Sequence, residues 1–211
     1  MPAVMTFDRT AERLAEIGRE FHRRGWALGT SGNFSAVVDR DPFELAITAS
    51  SLDKGRLTPQ QILRVGSDGN PTSDATGKPS AETLLHVAVA KTLAANAVLH
   101  THSVWSTILS DYHAGRAGFF IEDYEMLKGL SGVRTHEHRE WMPILENSQD
   151  LQLLSLQATE LMTEQPNLHG FLIRRHGLYT WGIDLDDAVR HVEILEFLLE
   201  SVGRRQMMEQ S

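Results

Sequence analysis

Ala97-Val98-Leu99-His100-Thr101-His102-Ser103 joins an apolar run to two histidines spaced i and i+2. The run has the character of a short buried strand, and on a strand alternate side chains share a face. His100 and His102 therefore project together, able to hold one metal ion from a rigid edge. Two imidazoles are half a site: a third ligand and an open position are needed. Taken alone, an H-x-H pair reads equally well as two ordinary strand or loop histidines.

On the N-terminal side, Thr10 to Arg24 carries Ala11, Leu14, Ile17 and Phe21 at helical spacing, with Thr10 as N-cap and Gly25 as the stop. Gly29 to Ser35 is small and polar apart from Phe34. It is a turn by composition, or an anion cradle of hydroxyls and backbone N–H groups. Ala36–Val38 and Leu45–Thr48 read as strands. The second runs into Ala49-Ser50-Ser51 and Asp53-Lys54-Gly55, which repeats the cradle theme with a lysine nearby. Residues 65–79 are rich in Gly, Pro and Asp and read as loop or hairpin, after which Ser80 caps a helix to about Asn96. Glu82 falls in its first turn, where a carboxylate complements the helix dipole. His86, one turn on, reads as a packed or capping histidine.

On the C-terminal side, Ser103–Ser110 reads as a helix and Phe119–Ile121 as a brief strand leading to Glu125, by default a surface carboxylate. A second H-x-H, His136 and His138, sits among Arg134, Glu137, Arg139 and Glu140 and reads as a solvated stretch that ranks below the first. Met142–Leu145 reads as an edge strand because of Pro143. Ser148 or Asp150 caps a helix to about Gln165. Gly170–Gly182 is strand, His-Gly turn, strand, and His176 at that corner is the best third ligand on offer. Asp184 caps a last helix to about Arg204, and the polar tail Gln206–Ser211 should fray.

The 211 residues, with 41% hydrophobic and 23% charged, suit one large domain: residues 1–211, with an ordered core over about 10–204. No repeat or linker divides them, no apolar run approaches a membrane span, and the N-terminus lacks a signal peptide's features. The absence of cysteine excludes disulfides and thiolate metal sites and fits a cytoplasmic protein. A net charge of −8 argues against nucleic acid, but a small phosphorylated ligand could still be held by local donors. Ten histidines favour metal or proton chemistry. No H-E-x-x-H marks a zinc hydrolase.

Thr30-Ser31-Gly32-Asn33-Phe34-Ser35, Lys78-Pro79-Ser80-Ala81-Glu82, His100-Thr101-His102 and Arg175-His176-Gly177, in that order and spacing, resemble the class II aldolase/adducin family. Within it, Tyr124–Gly129, Pro143–Asn147 and Arg174–Gly182 resemble the methylthioribulose-1-phosphate dehydratases of methionine salvage. The resemblance implies an α/β fold, three-layer α/β/α, with a central, mostly antiparallel sheet. It also implies a homotetramer with active sites between subunits. It implies one zinc ion per subunit on His100, His102 and His176, and a substrate phosphate on Gly32, Asn33, Thr48, Ser50, Ser51 and Ser80, with Lys78 or Lys54 adding charge. Many aldolases of the family carry two serines before the helix glutamate, where this chain has Ser80-Ala81. The resemblance makes Glu125 the first candidate for the acid–base and Glu82 the second. Phe119, Phe120, Met126 and Trp105 are candidates to line an apolar pocket for the methylthio tail. Sugar-phosphate aldolase, pentulose-phosphate 4-epimerase and a non-catalytic adducin-like interaction domain are the alternatives.

Overall fold

Strand β4, Ala97–Thr101, lies at the centre of an eight-stranded sheet. The structure, a computed structural model, describes residues 6–72 and 77–209. Its other strands are β1 (Asn33–Arg40), β2 (Phe43–Thr48), β3 (Ile62–Gly66), β5 (Gly118–Ile121), β6 (Glu140–Leu145), β7 (Gly170–Ile173) and β8 (Gly177–Gly182). They are ordered β3-β2-β1-β4-β8-β7-β6-β5, and every neighbouring pair is antiparallel except β6 and β7. The sheet is therefore mostly antiparallel, as the resemblance implies.

Helices cover both faces. Leu85 and Val87 of α2 (Thr83–Thr92) and Leu154, Ala158 and Met162 of α4 (Leu151–Glu164) pack on one side with Val98, Phe171 and Tyr179. The opposite face is covered by α1 (Phe7–Arg23), α3 (Val104–Tyr112) and α5 (Leu185–Glu209). The two-residue period of β4 sorts its side chains between these layers. Ala97 and Leu99 face the α1/α5 side, and Val98 faces α2 and α4. By the same alternation Thr101 turns to α5, where its hydroxyl donates to Glu196 at 2.6 Å. His100 and His102 turn to the α2 side.

Several boundaries differ from the sequence reading. Helix α1 begins a turn early, so Thr10 is a buried interior residue and Thr6 takes the N-cap position. Strand β3 lies just before and partly within the stretch read as loop, because Ile62, Leu63 and Val65 are buried against β2. Ser80 does not cap α2. The helix starts at Thr83 with Glu82 in the cap position, and the Ser80 hydroxyl accepts from the Glu82 N–H instead. It stops at Thr92, well short of Asn96. Strand β6 is interior despite Pro143, with β5 outside it at the edge. Asp150 caps α4, accepting from the N–H groups of Gln152 and Leu153. The C-terminal segment read as frayed stays helical to Glu209, and residues 210–211 of it lie outside the described residues. No helix among the described residues is long and apolar enough to cross a membrane.

Gly177 is required where β8 meets β4, since a Cβ there would collide with the Thr101 carbonyl and crowd the His100 ring. Gly177→Ala should lower unfolding free energy by about 1–3 kcal/mol, the usual cost of overpacking, in urea denaturation followed by circular dichroism.

Candidate active site

His100, wholly buried, has its register fixed on both sides. It pairs with Asn33 of β1 and Tyr179 of β8, so these three side chains share one face across adjacent strands. Its ring stacks on Tyr179 with centroids 4.0 Å apart. His100 Nδ1 donates to the Leu178 carbonyl at 2.9 Å, which leaves Nε2 as a lone pair. That nitrogen lies 2.7 Å from His102 Nε2 and 3.4 Å from His176 Nε2.

His176 arrives from the β7–β8 corner, and α3 holds that corner in place. Arg175 has a left-handed backbone (φ 54°), and its N–H donates to Ser110 Oγ. Arg174 and Arg175 both pair with Asp111, at 3.0 and 2.9 Å. Thr107 Oγ1 donates to the His176 carbonyl. The three histidines predicted to converge do converge.

Burial, reinforced by the neighbouring imidazoles, pushes His102 down to about 2 and His100 well below the usual histidine range. Both rings are thus neutral, the form that ligates a metal. His102 Nε2 and His176 Nε2 both close on the free nitrogen of His100, an arrangement that suits a divalent cation. The donor set fits one, with three protein ligands and open positions beyond them.

Glu82 is the carboxylate beside this triad. Its Oε1 lies 3.4 Å from His176 Nε2 and its Oε2 3.7 Å from His100 Nε2. Asn33 Nδ2 donates to Glu82 Oε2 at 2.6 Å and to Ser80 Oγ at 3.1 Å. Behind Asn33, buried His86 donates from Nε2 to Asn33 Oδ1 and accepts at Nδ1 from the Ser35 hydroxyl. Burial lowers His86 to about 4, so this ring also stays neutral. His86 is packed, as its position suggested, and it orients Glu82 through Asn33, which sequence spacing alone does not reveal. Glu82 Oε1 and the Tyr179 hydroxyl are both buried without a hydrogen-bond partner among the described residues. Burial, then the charge of Glu82, holds the Tyr179 phenol well above its usual range.

A cleft of about 160 Å³ opens beside His102 and Glu82, walled by Thr30, Gly32, Asn33, Ser50, Ser51 and Ser80 among others. Gly32 has a positive φ of 74°, and a Cβ on it would come 2.9 Å from the His100 carbonyl, so only glycine brings the loop this close. Two residues assigned to the cradle lie outside its lining. The Thr48 hydroxyl is buried and accepts from the Phe34 N–H. Lys78 is exposed and contributes only its carbonyl, to the Ser50 N–H. The cation in the lining is Lys54, 1% exposed, whose Nζ donates to the carbonyls of Thr30 and Leu52. Burial lowers it to about 8.

Glu125 lies outside this cleft. It sits on a short 3-10 turn, Glu125–Gly129, with its side chain 73% exposed, 2.6 Å from Lys128 Nζ and 3.9 Å from His136. The Lys128 hydrogen bond lowers its pKa. The supposed tail pocket is not there either. Phe119 and Phe120 line a separate depression with Trp141 and Arg116, Trp105 packs on α5, and Met126 is exposed. His138 points away from the triad, onto Glu140 and His169. A further residue the sequence reading passed over is Glu196. It falls on the apolar stripe of α5, four after Val192, and burial raises it to about 7 beneath Thr101.

Sheet, layers and triad together define an α/β/α domain with a three-histidine cluster fit to hold a metal beside a small polar cleft. The chain matches the class II aldolase and adducin N-terminal domain over residues 12–202 and belongs to that family. Methylthioribulose-1-phosphate dehydratase of Methylococcus capsulatus is 43% identical over 92% of this chain and 93% of its own length. That of Sorangium cellulosum is 40% identical over 92% of each. Among solved structures, L-fuculose-1-phosphate aldolase of Thermus thermophilus shares the fold at TM-score 0.77 and 22% identity, over 98% of this chain and all of that one.

A neutralised Lys54 no longer attracts an anion. The affinity of the protein for inorganic phosphate should therefore fall as pH rises through about 8. In Lys54→Met, which keeps the packing, it should drop about tenfold or more at pH 7, as read by isothermal titration.

Proposed function

We propose that this protein dehydrates 5-methylthioribulose 1-phosphate to 2,3-diketo-5-methylthiopentyl 1-phosphate, a step of methionine salvage. The reaction removes a proton from C3, beside the C2 ketone, and expels the C4 hydroxyl as water. The observation that carries this reading is the full-length similarity to dehydratases of that name, joined to an intact three-histidine cluster beside an anion cleft. The same intact cluster disfavours a non-catalytic interaction domain.

A zinc ion on His100, His102 and His176 would supply Lewis acidity, polarising the ketose oxygens so that the C3 proton becomes acidic. The phosphate rests on Gly32, Asn33, Ser50, Ser51 and Ser80, with Lys54 as its charge partner. Glu82 has one oxygen tied to Asn33 and the other turned to the triad, so it is the base this chain itself brings to the reacting carbons. Glu125 cannot serve its own cleft from an exposed turn. It would act as acid–base only in the cleft of a neighbouring copy. Exposed apolar residues Val104, Ile108 and Tyr112, one helical turn apart on α3, support such a homo-oligomer, read as a tetramer working in the cytoplasm. Aldol cleavage and 4-epimerisation would use the same residues. The relatives' names favour dehydration over both.

The zinc-loaded protein should release water and a diketone from methylthioribulose 1-phosphate and should not cleave it to dihydroxyacetone phosphate. The reverse outcome overturns the assignment. Glu82→Gln and Glu125→Gln should each lose about 10²–10⁴ in kcat, the usual contribution of a general acid–base, without loss of zinc. Mixed oligomers of Glu125→Gln with His176→Ala subunits should regain part of the activity. If they stay inactive, or Glu125→Gln retains full activity, the shared-site role of Glu125 is wrong.

A further inference from the structure

A second set of ligating atoms lies at the other end of β7. His176 follows that strand and His169 precedes it, with roughly 13 Å of strand between. Glu140, the first residue of β6, is buried, and its Oε2 lies 2.7 Å from His138 Nε2 and 3.0 Å from His169 Nδ1. The three donor atoms all fall within 4.8 Å of one another. A zinc-like ion about 2.0–2.2 Å from each needs them somewhat over 3 Å apart, which small side-chain rotations supply.

The surroundings are those of a ligand set. His169 Nε2 donates to the Ser131 carbonyl at 2.8 Å, which orients the ring and leaves Nδ1 facing the carboxylate, as an outer hydrogen bond does for a ligating histidine. Glu140 Oε1 accepts the His169 backbone N–H at 3.2 Å, and both carboxylate oxygens lie 3.0 Å from His169 Nδ1, so Oε2, which also meets His138, is the oxygen shared by the two imidazoles. Ser131 is itself held. Its N–H donates to His191 Nε2, its hydroxyl donates to Asp187, and Arg190 donates to that hydroxyl. His191 is fixed in turn by donating from Nδ1 to the Trp181 carbonyl. His138 is one-third exposed and closes the cluster from the solvent side.

We propose that His138, Glu140 and His169 form a second divalent-cation site, separate from the His100/His102/His176 cluster. Two imidazoles and one carboxylate with open positions suit zinc, cobalt(II) or iron(II). They do not suit calcium or magnesium, which take more oxygens. The site joins the starts of β6 and β7 to the loop after Gly129, so a bound ion clamps the segment that leads back to Glu125. Its role is to hold that loop on the sheet, and it does not depend on which reaction the first cluster carries out.

The test is equilibrium dialysis of the chelator-stripped full chain against micromolar Zn²⁺, with metal counted per chain by mass spectrometry. Wild type should bind two ions, and His138→Ala and His176→Ala one each. The melting-temperature rise that Zn²⁺ gives wild type should shrink in His138→Ala. Glu140→Gln is the second variant, and its circular dichroism reports folding independently. One ion in wild type, with none in His176→Ala and one in His138→Ala, would overturn the site and leave a proton on His169 to balance Glu140.

Discussion

A buried imidazole must have both nitrogens answered, and this requirement at His100 governs the site. Its Nδ1–H donates a hydrogen bond to the Leu178 carbonyl, available because β8 runs antiparallel beside β4 in this register. The second nitrogen is then a lone pair in a dry interior, where leaving it unanswered is costly. His102 comes from the same strand two residues on, and His176 from the turn that begins β8. Both bring Nε2 to the same point. Neutral imidazoles at His100 and His102 would leave a bound cation's positive charge undiminished.

The carboxylate beside the triad is held with equal care. Glu82 sits in the cap position of α2, yet its side chain does not cap the helix. Asn33 draws one of its oxygens aside, and His86 and Ser35 determine which way Asn33 points. The relay crosses from β1 to α2 and back, so the sheet-to-helix packing of the α2 layer sets the position of the Glu82 carboxylate. On the opposite face Glu196 supports Thr101, the residue between His100 and His102. The strand is thus gripped from both layers, and its histidines have little freedom to turn away.

Much of this was legible along the chain. An apolar run with histidines at i and i+2 carries its own orientation, because strand alternation is local. The Arg-His-Gly corner between two apolar runs likewise marks His176. The hydroxyl-rich stretches around Gly32 and Ser50 do line one cleft. Local pattern is silent where a side chain's neighbours come from distant segments. Thr48 carries a hydroxyl in the right stretch, but strand alternation turns it to the Phe34 N–H and away from the cleft. Lys78 and Lys54 look alike in sequence, and only the packing of Thr30 and Leu52 around Lys54 selects it. Ser80 has the composition of a cap, but the chain stays non-helical for two more residues, and its hydroxyl serves Glu82 and Asn33.

The amino-acid sequence by itself determined most of the elements, though not β3, together with the pairing of His100 with His102 and the family, because periodicity and ordered motifs are properties of neighbouring residues. Tertiary structure decided which carboxylate reaches the triad, which lysine lines the cleft, and that His138 belongs with Glu140 and His169. Those outcomes depend on strand register and layer packing. Both are set by how whole faces bury their apolar surface, and no local pattern encodes that sum.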